Sequence, residues 1–202
     1  DYTIGGNLNL NVDNSSALKF GADQDVTMTH VADSGLTLKN TSTADDTPFV
    51  LTIQTGETDI AADDVLGSIR FQAPDEGTGT DALLVAAAID AVSEGDFSAS
   101  SNASKLSFRT GSSETATEKM ALTSDGKLNL LTDATVLQFG ADSDVKLTHV
   151  ADTGLLLNAS MQLQFNDASQ NINAPSATVL DINATDEIEL NATLVDVNAN
   201  LD

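Results

Sequence analysis

The sequence predicts an all-β fold, an elongated repetitive β-shaft with a small β-rich knob inserted in it. Three observations predict it. A block of three strand-like runs occurs twice. Apolar and polar residues alternate within those runs. Aromatic residues make up only 4% of the chain, although hydrophobic residues make up 41%. Leu, Val, Ile and Ala in short alternating runs suit thin layers or a seam shared between chains. Wide cores usually draw on large aromatics. The shaft is expected to be a β-solenoid or an intertwined trimeric β-helix or β-prism.

Repeats organise the chain. One copy reads Leu18-Lys-Phe-Gly-Ala-Asp-Gln-Asp-Val-Thr-Met-Thr-His-Val-Ala-Asp-Ser-Gly-Leu-Thr-Leu38. The other reads Leu137-Gln-Phe-Gly-Ala-Asp-Ser-Asp-Val-Lys-Leu-Thr-His-Val-Ala-Asp-Thr-Gly-Leu-Leu-Leu157, and the two align without a gap. Upstream, Gly6-Asn-Leu-Asn-Leu10 matches Gly126-Lys-Leu-Asn-Leu130 after a one-residue length change. Leu18 and Phe20 alternate with Lys19; Val26, Met28 and His30 share a face, as do Val145, Leu147 and His149. Period two over such short runs indicates half-buried strands. Gly and Asp between the runs favour tight turns. Each copy should therefore be three short strands, and the two should adopt nearly the same backbone.

The tail has a shorter rhythm: Leu180-Asp-Ile-Asn-Ala184, Ile188-Glu-Leu-Asn-Ala192 and Val195-Asp-Val-Asn-Ala199. Its apolar pairs are expected to face one interior, with Asp181, Glu189 and Asp196 toward solvent, because an unpaired buried carboxylate is costly. Between the repeats, Phe49–Ile53, Gly67–Phe71, Lys105–Phe108 and Lys119–Leu122 read as strands, while 75–80 and 110–114 read as loops. Ala82–Val92 carries helix-favouring Ala and Leu, yet its Val85, Ile89 and Val92 tip the reading to strand. The expected organisation is 1–41 first shaft repeat, 42–125 knob, 126–160 second shaft repeat, and 161–202 short-period shaft. The chain opens at Asp1-Tyr2-Thr3 without Met and stops in mid-pattern, so a piece of a longer or processed protein is expected.

Asp and Glu number 31 against 8 Lys and Arg, a net charge of −23. Such a surface repels nucleic acid and anionic membranes. It is compatible with solubility in salt and with divalent cations. The absence of Cys excludes disulfides, thiol catalysis and cysteine-type zinc sites. No run approaches the ~20 apolar residues of a membrane span.

Little in the chain suggests chemistry. His30 and His149 are the only histidines and lie in phase with apolar residues, so copies meeting on a threefold axis could hold a metal ion. The plainer reading is a strand-end histidine bonded to backbone. Asp23 with Asp25, and Asp142 with Asp144, place two carboxylates at one turn, as a calcium site needs. No full loop motif accompanies them, and turn-forming acids are the favoured reading. The acid pairs Asp45-Asp46, Asp63-Asp64 and Asp186-Glu187 lack the aromatic sugar platform of a glycosidase, and adjacent acids point opposite ways on a strand. No catalytic residue and no cofactor are expected. The Asn-x-Ser/Thr sequences at Asn14, Asn40, Asn102, Asn158, Asn183 and Asn191 are ascribed to composition. A carbohydrate-binding module would need an exposed aromatic cluster, whereas the seven Phe and one Tyr lie mostly in alternating apolar positions.

The stretches Phe139–Asn158 and Asp181–Asn191 resemble repeats in tail-fibre-like virion proteins of marine bacteriophages. Leu66-Gly-Ser-Ile-Arg-Phe71, Leu106-Ser-Phe-Arg-Thr-Gly111 and Glu118-Lys-Met-Ala-Leu-Thr-Ser-Asp-Gly126, in that order, resemble a tail-fibre knob module. The resemblance implies a structural fibre segment: a homotrimer in the virion, outside the cell, joined to other tail components, with host-surface glycans met through other segments. It implies no enzyme activity, nucleic-acid binding or membrane insertion. The alternative is a cellular surface filament or adhesin whose subunits complete one another's sheets.

Overall fold

The computed structural model describes residues 17–73, 77, 79–159 and 161–198. The upstream match at Gly6–Leu10, the Asn14 site and half of the loop expected at 75–80 lie outside them. The chain is all-β, with four antiparallel sheets, none closed into a barrel, and no α-helix among the described residues. It divides into two units, Asp1–Gln54 and Thr55–Asp202.

The first unit contains one meander, β1 (Ala17–Phe20), β2 (Val26–Val31) and β3 (Gly35–Asn40). Its tight turns rest on left-handed residues, with Gly21 at φ 87°, Gln24 at 57° and Asp33 at 55°. After β3, the backbone N–H and hydroxyl of Thr41 both donate to the carbonyl of Asp25 and close the sheet. The strand expected at Phe49–Ile53 is not present: the run pairs with no strand among the described residues, and its apolar side chains are exposed. Its alternation and β-branched residues favour an extended chain, but a strand also needs a neighbouring edge to accept its backbone.

The second unit opens with a five-stranded sheet. In order it holds β4 (Val65–Gln72), β5 (Val85–Ser93), β6 (Ser104–Thr110), β7 (Thr117–Leu122) and β8 (Leu128–Leu130). The ambiguous run at 82–92 is the strand β5, entered through a single 3₁₀ turn at Asp81–Leu83. A second meander follows, of β9 (Val136–Phe139), β10 (Val145–Val150) and β11 (Gly154–Leu157). A third sheet holds β12 (Leu163–Phe165), β13 (Asp167–Ser176) and β14 (Val179–Asn183).

The two repeats fold alike, as their gapless match requires. Leu18 opposes Met28 and Phe20 opposes Val26 in the first; Leu137 opposes Leu147 and Phe139 opposes Val145 in the second. Gly140, Ser143 and Asp152 reproduce the left-handed turn residues at φ 86°, 56° and 57°. The tail departs from expectation. Leu180-Asp-Ile-Asn183 lies in β14, but the Ile188–Leu190 and Val195–Val197 runs form no strand. Leu180 is 70% exposed and Asp181 only half-buried, the reverse of the expected facing. Among the described residues, the apolar side chains Leu180, Ile182, Ile188, Leu190, Val195 and Val197 of the tail are all exposed.

Candidate functional site

The packed side chains of the second unit are small or polar. Among the described residues the only buried apolar side chains are Ala88, Val92, Ala116 and Ala121, joined by buried Asp90, Ser93, Ser107 and Asn171. In the five-stranded sheet, Ser68, Asp90, Ser107, Ala121 and Asn129 oppose one another across all five strands and share a face. Asp90 is 2% exposed and accepts hydrogen bonds from Arg109 Nη1 at 2.8 Å and the Ser68 hydroxyl at 2.5 Å. Burial alone would push the Asp90 carboxyl up. The hydrogen bonds from Arg109 and Ser68, with the charges of Arg109 and Arg70, outweigh it and hold the group below the usual carboxylate range. Beside this cluster, Lys105 pairs with Glu118 at 3.0 Å.

Sequence reasoning missed this network, because Asp90 reads as an acid flanking an apolar run. The signal was its phase: it alternates with Ile89 and Ala91, so it faces away from them. The acids of Asp63-Asp64 also prove structural. Asp63 sits left-handed at φ 69°, Asp64 Oδ2 accepts the Ala61 N–H at 2.7 Å, and the Ser93 hydroxyl binds both Ala61 and Asp64. Together these latch the approach to β4 onto the end of β5.

Each repeat meander carries an apolar face with exposed leucines. In the first repeat, Leu18, Phe20, Val26, Met28, His30, Leu36 and Leu38 lie on one side of the meander, fixed by their cross-strand pairing. Leu36 is 61% exposed; its counterpart Leu155 in the second repeat is 75% exposed. Thr27, Thr29, Thr37 and the lysines Lys19 and Lys39 occupy the other side. In the second repeat this apolar face adjoins β8. Leu128 and Leu130 meet Leu137, Leu147, His149 and Leu155 around a groove of about 350 Å³.

His30 and His149 therefore stand on the apolar faces, opposite Leu36 and Leu155, and both are exposed. His149 Nδ1 lies 3.8 Å from Asp133 Oδ1, beyond hydrogen-bond reach. The paired aspartates fold back over a glycine in each repeat. A Cβ on Gly21 would stand 2.9 Å from Asp23 Oδ1 and 3.3 Å from Asp25 Oδ1; on Gly140 it would stand 3.0 Å and 3.2 Å from Asp142 and Asp144. Two carboxylates supply too few of the about six to eight oxygens calcium takes. Among the described residues no three His, Cys, Asp or Glu side chains converge as metal ligands would. No family model matches the chain, and no curated protein or solved structure matches it.

Proposed function

We propose that the chain is a structural segment of a bacteriophage tail fibre, a homotrimeric β-shaft that spaces or presents host-recognition parts located elsewhere in the fibre. One observation carries this reading. The same three-stranded meander is built twice, each time with a charge-free Leu, Val and Phe face left open. A thin sheet of this kind is marginal alone in water and gains stability when its face is covered. Repeating it along a chain and matching it across three chains yields a long, narrow particle from short strands. The net charge of −23 then keeps finished particles apart.

A second reading has its own support. Phe49–Ile53 is β-prone and unpaired among the described residues, as expected of a strand that completes a neighbour's sheet in a cellular filament. Gold-labelled antibodies raised against residues 1–202 separate the two. Labelling of tail fibres on intact virions is expected. Labelling of filaments on uninfected cells would overturn the virion assignment.

A further inference from the structure

The five-stranded sheet has a second face that no described residue covers. Ile69, Ile89, Phe108, Met120 and Leu130 form one continuous cross-strand row. Gly67, Ala91, Leu106, Leu122 and Leu128 form the next. Both rows lack charge, and Ile69, Leu106, Leu122, Leu128 and Leu130 are exposed. Arg70, Asp90, Lys105, Arg109 and Glu118 lie on the other face, where Asp90 meets Arg109 and Lys105 meets Glu118.

We infer that this face of the knob is a seam between copies of the chain and not a surface for recognising a host. The inference rests on the trimeric reading above and extends it to a named surface. Area is the first argument. Five strands about 4.8 Å apart, with rows running from Gly67 to Phe71, give a footprint of roughly 300 Å². A standard interface buries about 800 Å² per partner. The face is too small to hold an independent partner alone. Its apolar surface continues, however, through Leu128 and Leu130 into the leucine face of the second repeat. A partner that fills both must itself present a flat apolar sheet followed by a narrower leucine sheet, which is the pattern of a second copy. Charge is the second argument. Chains carrying −23 repel wherever their acids meet, so copies approach most readily through charge-free surface.

The test uses the full chain. Leu122→Glu places a carboxylate in the middle of the seam on an exposed position. Ser113→Glu adds the same charge on an exposed loop of the same sheet. Native mass at matched concentrations is expected to show trimer for the unmodified chain and for Ser113→Glu. Leu122→Glu should need at least tenfold more protein to assemble, with unchanged far-ultraviolet circular dichroism. If Leu122→Glu unfolds, Leu128→Cys decides the matter, because the chain has no other cysteine. A short bis-maleimide cross-linker, which adds to one thiol at each end, should join copies through residue 128 and fail to join them through Ser113→Cys. A folded Leu122→Glu variant that assembles normally, or absence of cross-links at residue 128 in a trimeric protein, overturns the seam alone. A monomeric unmodified chain overturns the trimeric reading beneath it.

Discussion

At the scale of single residues, the turns of the two repeats depend on glycine for the same reason. Gly21 and Gly140 sit at φ 87° and 86°, and a Cβ at either would press on a neighbouring aspartate oxygen. Gly21→Ala and Gly140→Ala are each expected to cost about 1–2 kcal/mol, from the left-handed backbone penalty for a residue with a Cβ. Gly154→Ala meets open space in an ordinary conformation and should be near neutral. Urea unfolding at fixed chain concentration measures all three. The Asp90 cluster adds a pH dependence. Its carboxyl is held below the ordinary value, so the stability it contributes is present above pH ~4 and is lost as pH falls through the folded-state value. Asp90→Asn should destabilise the sheet by about 2 kcal/mol at pH 7. That is below the ~3–5 kcal/mol of a fully buried broken pair, because the Arg109 guanidinium reaches solvent. The gap between Asp90→Asn and the unmodified chain should narrow as unfolding is repeated toward pH 3. A constant gap would show that the charge of Asp90 is not what matters.

Single elements show what was readable in the sequence. The repeats were readable because alternation and turn residues are local properties, and their strands pair with immediate chain neighbours. Val85–Ser93 was readable as a strand for a similar reason: β-branched residues recur along it. Phe49–Ile53, Ile188–Leu190 and Val195–Val197 carry the same local pattern yet form no strand, since a strand is completed by a ladder whose other side their sequence does not specify. The Asp90–Arg109 pair was hidden because the register of β5 on β6 had first to be known. The end of the second repeat was hidden too. There Asn158 does what Thr41 does in the first: its Nδ2 donates to the Asp144 carbonyl at 2.8 Å and its Oδ1 accepts from the Lys146 N–H. Asn158→Ala removes both bonds, at about 1 kcal/mol each. Amides of Leu155–Leu157 should then exchange with solvent about tenfold faster or more, while those of β2 stay unchanged. Equal exchange in the variant would show that the clamp does not hold β11.

On the scale of the whole molecule, the side chains buried among the described residues are polar or small, with Val92, while many leucines, valines and phenylalanines are exposed. At roughly 25 cal/mol per Å², so much wet apolar surface is a large deficit for a chain that folds by itself. In the proposed trimer, association of like chains would remove it, opposed by the repulsion of a −23 charge on each. Raising salt from about 0.05 M to 0.5 M shortens the Debye length from about 14 Å to 4 Å and should strengthen assembly, read as a lower protein concentration at half-association. Leu190→Asp should weaken assembly by setting a carboxylate on each chain into the tail's apolar side. The most direct measurement is sedimentation equilibrium of residues 1–202 at neutral pH and moderate salt. A mass of three chains, persisting on dilution into the micromolar range, is the expected result. A single chain of 20.9 kDa that unfolds cooperatively at high temperature would contradict it and would point to a self-sufficient solenoid.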